Sequence, residues 1–120
     1  WQTDENLWAL RNTARAVRAV TAAVIERTEP YAVILTERTD KLFFPDRRVI
    51  FNDPLDQPKI DRVVTQLAQR VPLYYFTALE EHDIAFANQY RFAQYGVRWS
   101  GGEEIGGQRL YRLERVQSLK

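Results

Sequence analysis

The chain has no cysteine, no methionine and one histidine, and no apolar run in it exceeds the five residues Tyr31–Leu35. Each shortage excludes something. Without cysteine there is no disulfide, no thiolate nucleophile and no Cys-ligated metal, and the redox compartment stays open. A membrane-spanning helix needs about 20 consecutive apolar residues, and no stretch approaches that. Charge of one sign is lacking too. Seventeen basic residues against sixteen acidic ones leave +1, so no bulk field draws the chain to nucleic acid. A translated chain starts with Met, so one that opens at Trp1 with no Met at all is expected to be a fragment of a longer parent. That parent can carry the spans and leader that this stretch does not contain.

What is present describes an ordinary globular domain. The 120 residues are 45% hydrophobic and 28% charged, enough to bury a core as a single domain. From Asp4 to about Arg27 the residues Leu7, Leu10, Ala14, Val17, Thr21 and Val24 recur at alternating spacings of three and four. This is one apolar stripe of a long helix, and Pro30 stops it. "YAVILT" (31–36) is an unbroken apolar run that suits a strand buried on both faces. "RVIF" (48–51) is a second strand. "NDPLDQPK" supplies turn chemistry, with Asp53 or Asp56 as a cap and Pro58 in the first turn. Ile60, Val63, Val64, Leu67 and Ala68 then define a helix to about Arg70.

"LYYF" (73–76) is the third strand. "TALE" (77–80) reads as a capping box in which Thr77 opens a further helix and Glu80 closes the reciprocal bond. That helix would carry Ile84, Phe86, Ala87, Tyr90, Ala93 and Tyr95, with Gly96 closing it in the left-handed conformation. "VRW" and "RLYRLERV" are strand-like and flank the hairpin connection "SGGEEIGG". Strands alternating with helices predict a small three-layer α/β domain, a mostly parallel sheet with helices on both faces. The C-terminal hairpin should add an antiparallel edge, because Arg109, Arg112, Glu114 and Arg115 are poor residues for a central strand.

In such a sheet ligands sit beyond the carboxyl ends of the strands. "TERTDKLFFPDRR" (36–48) follows the first strand there, and Thr77 to Asp83 follows the third. The two segments would bring Glu37, Asp40, Lys41, Glu80, Glu81, His82 and Asp83 to one rim, with Lys41, Arg47 and Arg48 as donors to a phosphate or sugar. The commoner meaning of such a rim is a solvated loop whose charges pair locally, anchored by Phe43 or Phe44 and stiffened by Pro45. His82 in "EEHD" is the sole imidazole, and one His among carboxylates lacks zinc spacing. No nucleophile–base set and no phosphate-loop pattern can be assembled, so neither a catalytic residue nor a cofactor is expected. Arg11, Arg15 and Arg18 form a ridge on the first helix. It is either a solvated face or a surface for anionic lipid head groups.

"EPYAVILTERTDKLFFPDRRVI", "VPLYYFT", "YGVRW" and "RLYRL", in this order, resemble the C-terminal soluble domains of multi-span bacterial membrane proteins. The group in question is glycosyltransferase-like, uses lipid-linked sugars and is related to the protein mannosyltransferases. The resemblance implies an extracytoplasmic, non-catalytic domain whose partner is the membrane portion of the same parent chain, because the catalytic acids of that group lie in the membrane part. The other reading is an independent α/β domain binding a small anion at the rim formed by residues 36–48 and 77–83.

Overall fold

The computed structural model describes residues 2–37, 47–51 and 57–116, with side chains from Arg15 onward and Gln57 excepted. Helix α1 spans Gln2–Arg27, strand β1 Val33–Thr36, β2 Arg48–Phe51 and helix α2 Gln57–Leu67. Strand β3 follows at Leu73–Thr77, helix α3 at Glu81–Tyr90, a 3-10 turn at Phe92–Tyr95, and strands β4, Val97–Ile105, and β5, Gln108–Arg115. The loop with Asp40, Lys41, Phe43, Phe44 and Pro45, and the turn with Asp53 and Asp56, lie outside the described residues.

The five strands form one sheet in the order β2-β1-β3-β5-β4. β1 runs parallel to both β2 and β3, whereas β5 runs antiparallel to β3 and to β4. The expectation of a mostly parallel sheet is therefore corrected to a mixed one. The reason is the hairpin: it joins the sheet through β5, so the charged strand expected at the edge is internal and β4 takes the edge. β5 tolerates this because its arginines reach the sheet's margins. Arg112 lies over the Tyr74 ring at 5.4 Å, and Arg109 donates to Glu81 Oε1 and the Gly102 carbonyl.

Side-chain alternation gives the sheet two apolar faces. Val33, Leu35, Leu73 and Tyr75 point towards α2 and α3, where Ile60, Val64, Ile84 and Phe92 cover them. Ile34, Tyr74 and Phe76 point the other way, under Val24 and the flanking Val20 and Ala23 of α1. The domain is thus layered helix, sheet, helix. The strand β4 serves both faces. Val97 and Trp99 belong to the α2/α3 side, yet Ile105, two-residue steps further on, belongs to the α1 side. A bulge between Gly101 and Glu103 inserts one residue and reverses the phase. Gly102 is required there, since a Cβ would come within 2.8 Å of the Tyr111 ring.

The stretch read as a loose connection, "SGGEEIGG", is mostly strand. Only Gly106 and Gly107 turn, with φ of 58° and 82°, as a two-residue hairpin that follows the strand twist demands. A side chain at Gly106 would also run into Val20 of α1, so this turn is the seat of the helix. Arg27 and Glu103 form an ion pair across the same contact. Gly96 closes the 3-10 turn with φ 71°, the left-handed role expected of it.

Candidate functional site

The carboxyl edge of the parallel strands is built around Glu37, the first residue after β1. Its Oε1 accepts from the Thr77 hydroxyl at 2.5 Å and from the Ala78 N–H at 3.2 Å. Thr77 Oγ in turn accepts from Leu79 N–H at 3.0 Å. Thr77 is therefore the last residue of β3 and fully buried, not the cap of α3. Glu80 holds the cap position, with no side-chain bond to the helix end. The capping box fails because a carboxylate from another strand claims the threonine first. Glu37 Oε2 is buried with no hydrogen-bond partner among the described residues.

His82 stands in the first turn of α3 with its side chain 75% exposed, Nδ1 at 3.2 Å from Glu80 and Nε2 at 3.4 Å from Asp83. These acids complement the positive end of the helix. Among the described residues no group of three His, Asp or Glu is arranged to hold a metal ion.

The cations expected beside Glu37 are elsewhere. Arg48 pairs in register with Val33, and Phe51 with Thr36, so Arg47 precedes β2 and Arg48 opens it, both at the amino end of the parallel strands. About 13 Å of strand separates that end from Glu37. Arg47 is buried and fastens the end of α1: Nε donates to Thr28 Oγ at 2.9 Å, and Nη2 to the carbonyls of Ile25 at 2.8 Å and Thr28 at 2.9 Å. It satisfies carbonyls that a helix terminus leaves unpaired. Arg48 is exposed. Asp40 and Lys41 lie outside the described residues. Of the nine rim candidates, the structure thus brings Glu37, Glu80, Glu81, His82 and Asp83 to the same edge and sends Arg47 and Arg48 to the other.

Beside the amino end, on the α1 face, Tyr74, Glu29 and Arg112 form a closed polar triad. The Tyr74 hydroxyl donates to Glu29 Oε1 at 2.5 Å, and Arg112 donates to the Tyr74 oxygen at 2.6 Å. The Arg112 guanidinium also pairs with Glu29 Oε2 at 2.9 Å. Burial, and then the bond to Glu29, pushes the Tyr74 hydroxyl up to about 12. Burial alone would raise the Glu29 carboxyl, but the bonds from Tyr74, its own backbone N–H and Arg112 outweigh it and hold it below its ordinary value.

The other face offers a cleft. Between α2 and α3 the helices part over the sheet and leave about 310 Å³, with Tyr75, Trp99, Ile60, Asp83, Phe86 and Arg91 among its walls. Trp99 packs at 5.5 Å from Tyr75 and edge-on at 5.9 Å from Phe92. Its backbone is clamped by one side chain of α3: Asn88 Nδ2 donates to the Trp99 carbonyl at 2.9 Å, and Trp99 N–H donates to Asn88 Oδ1 at 2.8 Å. Arg91 is held to Asp61 of α2 at 2.6 Å. Phe86 and Tyr90, placed on the apolar side of α3 by the sequence pattern, are instead exposed and stack on each other at 4.6 Å.

No family model, curated protein or solved structure matches this chain. The geometry therefore stands alone. Sequence reasoning missed Trp99, Asn88 and the Asp61–Arg91 pair. One signal was present: Asn88 interrupts the apolar side of α3 next to Ala87, and a polar residue at such a place needs a partner.

Proposed function

We propose that this chain is a non-catalytic, soluble extracytoplasmic domain carried by the membrane portion of its own parent, a bacterial chain of the glycosyltransferase-like kind that the resemblance implies. There it positions an acceptor or braces the membrane part. The observation that supports this reading best is the shape of α1. Its 26 residues make a rod about 39 Å long, and among its described side chains only those from Val20 onward pack into the sheet's core. The domain extends 66 × 28 × 22 Å, so α1 leaves the sheet as a stalk. Arg15 and Arg18 are exposed on it, where anionic head groups would meet them.

No helix among the described residues is long and apolar enough to cross a membrane, so on this reading the spans belong to the parent. The alternative, a small anion held at the rim of residues 36–48 and 77–83, has less in its favour. Arg47 is committed to α1, and among the described residues the cation at that edge, Arg109, is paired with Glu81.

The test is the coding sequence upstream of Trp1 together with an assay of the purified chain. Several apolar stretches of about 20 residues and no hydrolase or transferase turnover are the expected results. Robust turnover that His82→Ala abolishes would overturn the proposal, as would a short soluble start immediately before Trp1.

A further inference from the structure

β4 is an open edge of the sheet. Among the described residues β5 pairs with one side of it and no strand pairs with the other. The Val116 N–H donates to the Gly96 carbonyl at 2.9 Å, and the register sets Arg98 against Glu114 and Ser100 against Arg112. In an antiparallel ladder the backbone groups of successive residues alternate between the two sides. Gly96, Arg98 and Ser100 therefore turn theirs to β5, and Val97 and Trp99 turn theirs outwards. Outward groups of this kind are a template for another strand.

At Trp99 the template is already taken. Asn88 Nδ2 donates to its carbonyl at 2.9 Å, and its N–H donates to Asn88 Oδ1 at 2.8 Å. A side-chain carboxamide carries the donor and the acceptor of a peptide unit. Here it makes both bonds that one residue of an added strand would make. Next to this contact a recess of about 540 Å³ lies between α3 and the strand, with Gln89, Ala93, Gly96, Val97, Arg98 and Val116 in its walls.

We infer that Asn88 guards this edge: its carboxamide stands in for a neighbouring strand and keeps β4 from pairing with a second copy of the chain. The segment Val97–Gly101, ahead of the bulge, suits a copy of itself. In an antiparallel pair with its twofold axis at Trp99, each Trp99 N–H donates to the other's carbonyl. Arg98 then lies opposite Ser100 and Val97 opposite Gly101, so no like charges face each other. In the unaltered chain such a pair exchanges the Asn88 bonds for equivalent ones, and the freedom lost on association goes uncompensated. Without the carboxamide the Trp99 groups face only water, and pairing becomes favourable.

Sedimentation equilibrium on the whole chain tests this. The unaltered chain should stay monomeric at millimolar concentration, and Asn88→Ala should self-associate at least about tenfold more tightly. Amide hydrogen exchange at Trp99 should be fast in dilute Asn88→Ala and slow again as concentration rises. Adding Ser100→Arg, which sets a like charge against Arg98, should return Asn88→Ala to the monomer. An Asn88→Ala chain that is folded by circular dichroism and remains monomeric would overturn the proposal, as would a pair indifferent to Ser100→Arg. If Asn88→Ala does not fold, exchange in the unaltered chain decides. A Trp99 amide slower than that of Val97 upholds the guard, and one equally fast overturns it.

Discussion

The two faces of the sheet treat their polar side chains differently. On the α1 face Arg47 closes on the end of the helix, Tyr74 on Glu29, and Arg112 on both. On the α2/α3 face the Trp99 indole N–H and the Tyr111 hydroxyl are buried with no hydrogen-bond partner among the described residues. A satisfied polar network rigidifies, and an unsatisfied one is unfavourable to the fold. The α1 face is accordingly the fastened one.

The largest effect expected is on the fastening side. Phe76 is fully buried beneath α1, and Phe76→Ala should destabilise by about 3–5 kcal/mol in urea denaturation. A loss below about 1 kcal/mol would mean that α1 does not cover the sheet there. Next comes Arg47→Ala, which strips the Ile25 and Thr28 carbonyls of their donor and should lower stability by about 2 kcal/mol. Hydrogen exchange should quicken in the last turn of α1 and stay unchanged in α3. If both helices loosened equally, the faces would not be separate structural units.

Asn88→Ala should be smaller, about 1 kcal/mol, with faster exchange at the Trp99 amide that its side chain holds. An unaltered Trp99 amide would remove the clamp from the argument. The pH profile sharpens the contrast further. The Glu29 carboxyl is lowered from 4.5 in the fold, so its contribution is complete above that value and disappears as pH falls. Tyr74 is raised from 10.0 to about 12, so its contribution is complete below pH 10 and disappears as pH rises through 12. Thermal melts of Glu29→Gln and Tyr74→Phe should show flatter acid and alkaline limbs respectively. Limbs as steep as those of the unaltered chain would place the titration elsewhere.

Much of this fold was legible where the pattern is local. The strand at residues 48–51, the stripe of α2 and the left-handed Gly96 all follow from neighbouring residues, and the structure has them. What escaped depends on contacts between distant segments. Thr77 looked like a cap because its own neighbourhood fits one, but Glu37, forty residues away, takes its hydroxyl. β5 looked like an edge because of its arginines, yet Tyr74, Glu29 and Glu81 receive two of them. The helix expected to continue to Tyr95 gives way at Arg91 to a 3-10 turn, which buries Phe92 and leaves Phe86 and Tyr90 exposed. A basic rim could not be resolved into two opposite ends without the register of β1 against β2, which no local pattern encodes.

The central claim is that the α1 face is fastened by polar groups that close on one another, the Tyr74–Glu29–Arg112 triad above all. A double-mutant cycle of Tyr74→Phe and Arg112→Ala in urea denaturation tests it most directly. The two losses should not add, leaving a coupling energy of about 0.5–3 kcal/mol. Losses that add to within about 0.3 kcal/mol would contradict the account.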